Sequence, residues 1–283
     1  MRQIFKWRLP RTEIELGKRT AIMGILNVTP DSFSDGGLYR DLQAALNRAL
    51  QMEEQGADVL DIGGESTRPG SEAVAEEMEL KRVLPVIEAL AVRLKIPISI
   101  DTYRSEVAQK ALAAGAQIVN DISAFRFDSR MPEEVRAARA AVVLMHSRGS
   151  REELHKQLPM KNPLREVQDE LMAAARVATE AGIAREAVVM DPGVGFGKTA
   201  EESVTVLRNL QTFSRLEYPV LIGTSRKSFL GRIGASGAMP DAKNRLWETA
   251  ATVAGGVLRG AHIVRVHDVA EMRTLVDTLD ALF

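Results

Sequence analysis

A chain of 283 residues, 45% hydrophobic and 27% charged, is long enough to bury a large core, and α/β barrels commonly use this length as one domain. A formal net charge of −1 excludes the broad basic field of a nucleic-acid binder, so any anion site must be a local cluster. The absence of cysteine excludes disulfides, thiol catalysis and Cys-ligated metals, and suits a reducing compartment. The first twenty residues are broken by charges every few positions and hold no signal-peptide core. No apolar run approaches the roughly 20 residues of a membrane helix. The expectation is a cytoplasmic protein with neither membrane nor nucleic acid as partner.

In chain order, residues 1–20 read as a short hairpin or irregular lead-in. Residues 21–26 are apolar on both faces, as in a buried parallel strand, and stop at Asn27 before a loop rich in Thr, Pro, Asp, Ser and Gly. Leu42, Ala45, Leu46, Ala49 and Leu50 recur at helical spacing, and Gly56 ends that helix. Further buried strands are expected at 59–62, at 96–100 ending in Asp101, at 118–119 ending in Asn120 and Asp121, and at 142–145 ending in His146. Three more are expected at 187–190 ending in Asp191, at 219–223, and at 263–268. Helical patterns lie between them at 76–94, 105–114, 131–140, 163–181, 201–213 and 244–258, and a last helix runs to about residue 282. Eight strand–helix alternations make a single (β/α)₈ TIM barrel, with residues 1–283 as one domain. A doubly wound sheet fits less well, because no GxGxxG follows the first strand.

In a barrel the C-terminal ends of the strands converge on one face. Asn27, Asp61, Asp101, Asn120, His146, Asp191, Lys227, Arg265 and His267 should therefore meet there. Any one of these could be an ordinary cap or turn former; nearly every strand ending in such a group is harder to explain that way. Arginine and lysine suit an anion, Asn27 with a neighbouring acid suits Mg²⁺, and Asp101, Asp191 and Asn120 suit the N–H edge of a neutral heterocycle. The run from Gly195 to Thr199 is not a P-loop, since Pro192 stands where its first glycine is required. Its glycines read as room for the backbone to approach a flat ligand, with Phe196 packing on it. No Ser/His/Asp spacing is present, the paucity of Trp and Tyr disfavours a glycosidase pair, and His155 and His262 read as bland.

Six stretches together resemble the bacterial dihydropteroate synthases: MGILNVTPDSFSDGG at 23–37, DIGGESTRPG at 61–70, PISIDTYRSEVAQKALAAGAQIVNDIS at 97–123, DPGVGFGKT at 191–199, GTSRKSFLG at 223–231 and RGAHIVRVHDV at 259–269. The resemblance implies a transferase of folate synthesis, in which a dihydropterin bearing a CH₂-diphosphate loses pyrophosphate to the amino group of its partner substrate, 4-aminobenzoate. Carried over by position, the pterin would be held by Asp101, Asn120, Met145, Asp191, Gly223 and Lys227. The diphosphate would be held by Asn27, Thr67, Arg68, Arg265 and His267, and 4-aminobenzoate by Thr67, Arg68, Pro69, Phe196, Lys227 and Ser228. Asp101, Lys227, Arg265 and His267 would be catalytic, and Asn27 would hold the cofactor Mg²⁺. The resemblance also implies a homodimer and a sulfonamide target. A pterin-dependent methyltransferase or a silent pterin-binding paralogue is the alternative, and neither needs the diphosphate cations. One segment departs from the family pattern, where residues 145–153 read MHSRGSREE in place of a Met-His-Met-x-Gly start and a later Thr-Met-Gln run.

Overall fold

The computed structural model describes residues 2–28, 38–66, 71, 73–154, 157–233, 241 and 244–283. Apolar runs without a polar face become strands buried on both sides. These are β3 (Ala21–Asn27), β4 (Val59–Gly63), β5 (Ile98–Asp101), β6 (Ile118–Asp121), β7 (Ala141–Met145), β8 (Val188–Asp191), β9 (Leu221–Ile222) and β10 (Ile263–Val266). They pair in parallel in the order β8-β7-β6-β5-β4-β3-β10-β9, and a bridge between Met190 and Val220 closes the ring. The result is the expected (β/α)₈ barrel.

The outer layer is α1 (Leu38–Glu54), α2 (Glu76–Ala91), α3 (Ser105–Ala114), α4 (Met131–Ala137), α5 (Pro163–Glu180), α6 (Ala200–Arg208), α7 (Ser228–Ile233), α8 (Leu246–Val257) and α9 (Val269–Leu282). Local chemistry sets their ends. Asn162 caps α5 by accepting from the Arg165 N–H, with Pro163 in the first turn where no donor is needed. Thr199 and Glu202 exchange side-chain-to-backbone bonds in a capping box that starts α6.

Several elements differ from their sequence patterns: the eighth strand stops at Val266, the helix at 131–140 stops at Ala137, and the short helix α7 is not among those expected. The pattern at 201–213 ends as a helix at Arg208, where Asn209 turns its amide onto Thr205 O, and a 3₁₀ turn, Leu210–Leu216, follows. The seventh strand shrinks to two residues because Pro219 has no N–H to give, and Val220 donates to His262 Nδ1 instead.

The lead-in is an antiparallel hairpin of β1 (Phe5–Arg8) and β2 (Glu13–Leu16). It caps the N-terminal end of the barrel. Trp7 is fully buried and donates its indole N–H to Ala187 O, just before β8. His262, just before β10, contacts Gln3 O through Nε2 and meets Phe5 edge to face, so this histidine is structural as its sequence context implied. Trp7→Ala should lower unfolding free energy by roughly 3–5 kcal/mol, read by urea denaturation. A loss under about 1 kcal/mol would mean that the hairpin is not part of the core.

Candidate active site

Register places the polar strand ends in ranks. Asn27 lies beside Gly63, Gly63 beside Asp101, and Asp101 beside Asn120, so four neighbouring strands deliver their ends at one level. A Cβ at Gly63 would stand 3.6 Å from Asn27 Oδ1 and 3.5 Å from Asp101 Cβ, ordinary contact distances that place the two groups on either side of this position.

Arg265, on the last strand, reaches back to the second and third barrel strands. Its Nε donates to Asp61 Oδ2 at 2.6 Å and its Nη2 to Asp101 Oδ2 at 2.5 Å. Asn120 Nδ2 donates to the same Asp61 oxygen at 3.0 Å, and Asp61 is fully buried. Burial opposes the Arg265 charge, but the two carboxylates outweigh it and raise its pKa. Burial also pushes Asp101 up to about 7, with Arg265 opposing and Asp61 adding to the rise.

Above this network opens a cavity of about 380 Å³, the size of a small-molecule site. Of the residues the sequence singled out, Asn27, Asp101, Phe196, Gly223, Lys227, Ser228, Arg265 and His267 line it. Asn120, Asp191 and Met145 are buried and do not line it, and Met145 instead lines a second cavity with Phe125, Arg126 and His146. Thr67, Arg68, Pro69 and His155 lie outside the described residues, as does the loop at 29–37. Lys227 Nζ donates to Val194 O and stands 4.2 Å from the centre of the Phe196 ring. Burial lowers its pKa to about 8, with Asp191 opposing. His267 Nδ1 meets Ser225 Oγ at 3.0 Å. Between Ser225 and Lys227, Arg226 adopts φ +59°, a left-handed conformation that a non-glycine residue holds only when its surroundings impose it. It is fixed by Thr249 Oγ1 at its N–H, by Arg245 at its carbonyl and by Asp268 at its guanidinium.

At the end of β8, Asp191 Oδ1 accepts from the Gly193 N–H at 2.7 Å. Burial raises the pKa of Asp191, against the pull of Lys227. The glycines of this loop correct the expectation from sequence. A Cβ on Gly193 would overlap His146 O, and one on Gly197 would fall 2.6 Å from Arg148 Cβ. These two glycines let the loop approach the segment after β7, not a ligand. Only Gly195 and Phe196 of the run line the cavity. Lys198 is a brace. Its Nζ meets His146 Nδ1 at 2.7 Å, Gly193 O at 2.9 Å and Phe196 O at 3.2 Å. Burial lowers Lys198 to about 7, while burial and then Lys198 lower His146 to about 4, so the imidazole is neutral and accepts.

The residues fit a hard cation in one respect. Asn27 offers an amide oxygen beside a carboxylate, and Mg²⁺ is usually held by one or two protein oxygens, water and substrate phosphate. Among the described residues no cluster of three His, Asp or Glu side chains forms a protein-only metal cage. Among the contributors not singled out from sequence are Glu65, Ser66, Ser225 and Arg226, which line the cavity, and two further arginines. Arg245 lines the cavity. Arg151, inside the divergent segment, binds Glu65 Oε1 at 2.8 Å and Ser66 O at 2.9 Å, tying that segment to the loop after β4. Neither of these two arginines lies in a recognised motif, Arg245 standing between those at 223–231 and 259–269 and Arg151 in the segment after β7, so no local pattern marked them.

The protein family described as "Pterin binding enzyme" matches residues 23–267. The dihydropteroate synthase of a Synechocystis strain is 45% identical over 96% of this chain and 93% of its own. The crystal structure of a Clostridium difficile dihydropteroate synthase in the presence of pteroic acid is 44% identical, with a TM-score of 0.88 over 95% of this chain and 98% of that one. A Xanthomonas albilineans dihydropteroate synthase with 4-aminobenzoic acid is 38% identical, with a TM-score of 0.91 over 99% and 98%.

The Lys198 brace has a measurable signature. Its pKa is about 7 in the fold against an ordinary 10.5. Between those values the unfolded chain binds the proton that the folded chain has released, so Lys198 makes stability rise with pH. The stability of the parent minus that of Lys198→Met should therefore climb by up to about 1.4 kcal/mol per pH unit in that window, read by urea unfolding at several pH values. A flat difference would refute the perturbed lysine.

Proposed function

The chain belongs to the pterin binding enzyme family, and from that premise we infer that it works as a dihydropteroate synthase. It joins (7,8-dihydropterin-6-yl)methyl diphosphate to 4-aminobenzoate and releases pyrophosphate. The observation that carries this reading is the meeting of Asn27, Asp101, Lys227, Arg265 and His267 around one cavity although they span most of the chain. Such a pocket has carboxylates at its floor and cations at its rim, which suits a donor-rich ring with an anionic tail.

The chemistry asks for placement more than for a reactive side chain. The bond from the methylene carbon to the diphosphate oxygen breaks, and its electron pair leaves with pyrophosphate. The amine nitrogen then forms the C–N bond, and its surplus proton passes to water. An aromatic amine is already neutral at pH 7, so no strong base is needed. Arg265 and His267, with Thr67 and Arg68, hold the diphosphate and the negative charge that grows on its leaving oxygens, and Lys227 holds the pterin. Asp101 and Asp191 face the ring and stabilise the positive charge that spreads into it, with Asn120 fixing Asp61 and so Arg265. Gly223 and Met145 contribute pterin contacts. Phe196, Ser228 and Lys227, with Thr67, Arg68 and Pro69, hold the aminobenzoate. Asn27 would hold Mg²⁺, which when bound screens the diphosphate.

Residues 1–283 act as one domain, in the cytoplasm, and among the described residues no helix is long and apolar enough to cross a membrane. The protein pairs as a homodimer through its late helices, where Trp247 and Leu258, at the two ends of α8, are exposed.

Purified protein supplied with Mg²⁺ and both substrates should release pyrophosphate, stop on chelation and resume when Mg²⁺ is restored. No release from fresh substrates would overturn the reading. Lys227→Met should lower kcat/KM by about a hundredfold or more while the thermal midpoint holds; wild-type turnover would remove Lys227 from the site.

A further inference from the structure

We propose that Arg245 is a further anion-binding residue of this pocket, gripping oxygens of the diphosphate tail or of the aminobenzoate carboxylate. The inference rests on the synthase function inferred above. It starts from the charges already spent. Arg265 is shared between Asp61 and Asp101, and Arg226 is paired with Asp268. A diphosphate brings several negative charges into a pocket that already holds Asp101, so the cations that count most are those not committed to a carboxylate. Among the described residues, the lysine and arginine side chains that line the cavity without such an ion pair are Lys227 and Arg245.

Arg245 is 8% exposed and sits immediately before α8. Its Nη1 donates to Arg226 O at 2.9 Å, and its Nε is buried without a hydrogen-bond partner. A guanidinium carries its N–H donors in a planar fork, so one backbone carbonyl leaves most of its capacity unspent. A buried cation without a counterion is costly, and an incoming anion offsets that cost. The bond to Arg226 O also aims the fork. It anchors Arg245 to the strained residue between Ser225 and Lys227, beside Ser228 and His267. The alternative is that Arg245 only braces Arg226, and the two roles separate by charge.

Arg245→Gln keeps an N–H donor for the Arg226 carbonyl and removes the charge. Three quantities are compared with the parent enzyme. They are the Kd for pyrophosphate with Mg²⁺, the KM for the aminobenzoate substrate, and the Kd for a phosphate-free pterin, 6-hydroxymethyl-7,8-dihydropterin. The expected result is a roughly ten- to hundredfold weakening for pyrophosphate, for aminobenzoate or for both, with the phosphate-free pterin bound as before. The ligand that weakens identifies the anion. Unchanged values for both anions would overturn the proposal, and so would a parallel loss for the pterin, which is what a brace alone gives. If the Gln variant does not fold, Arg245→Lys decides on the same terms: it keeps a point charge but loses the fork, so binding of the anion should weaken several-fold while pterin binding holds. Parent enzyme that turns over substrates alongside an unaffected variant refutes the role of Arg245 alone. Parent enzyme that releases no pyrophosphate refutes the synthase function.

Discussion

The Arg265 guanidinium is the interaction on which the site depends. It comes from the last strand and binds carboxylates from the second and third barrel strands. A buried carboxylate, Asp61, and a partly buried one, Asp101, at the mouth of a closed barrel would repel each other and lose hydration. One forked cation between them makes the arrangement tolerable, and Asn120 adds a further donor to Asp61. The same contact ties the end of the chain to its beginning, since β10 pairs with β3 and Arg265 then reaches past it to β4 and β5.

The electrostatic consequence is a pocket with its charges held in tension. Burial drives Asp101 and Asp191 upward and Lys227 and Lys198 downward, each opposed by a neighbour of the other sign. Groups set this way respond strongly to a charged ligand, because little water remains to screen it. That environment suits a reaction in which an anion departs and a cation develops on a flat ring. The protein need not form a covalent bond; it has to hold dipoles and charges in place before the ligand arrives.

The walls of the pocket are held by backbone contacts as much as by side chains. The loop from Asp191 to Lys198 lies so close to the segment after β7 that glycine is required at Gly193 and Gly197. Lys198 locks that contact by gathering two carbonyls of its own loop and the His146 ring. The divergent segment after β7 extends outward from the same place, and its Arg151 clasps Glu65 and Ser66. That segment therefore helps to order the rim, through the ion pair of Arg151 with Glu65.

Much of this protein is legible in one dimension. Apolar runs without a polar face could only be strands covered on both sides, and their alternation with helical periods named the barrel. The polar residue closing each run named the face where chemistry would gather. Periodicity and strand ends are local properties, so a linear reading suffices for them. How those residues divide their bonds is a property of the folded chain alone. Nothing local tells that Arg265 is shared by Asp61 and Asp101, that Lys198 faces His146, or that Arg245 lines the cavity with no carboxylate partner among the described residues. Arg265 and Asp61 stand 204 positions apart, and Lys198 and His146 stand 52 apart. Barrel closure and strand register bring such pairs within hydrogen-bond reach, and no local pattern encodes either.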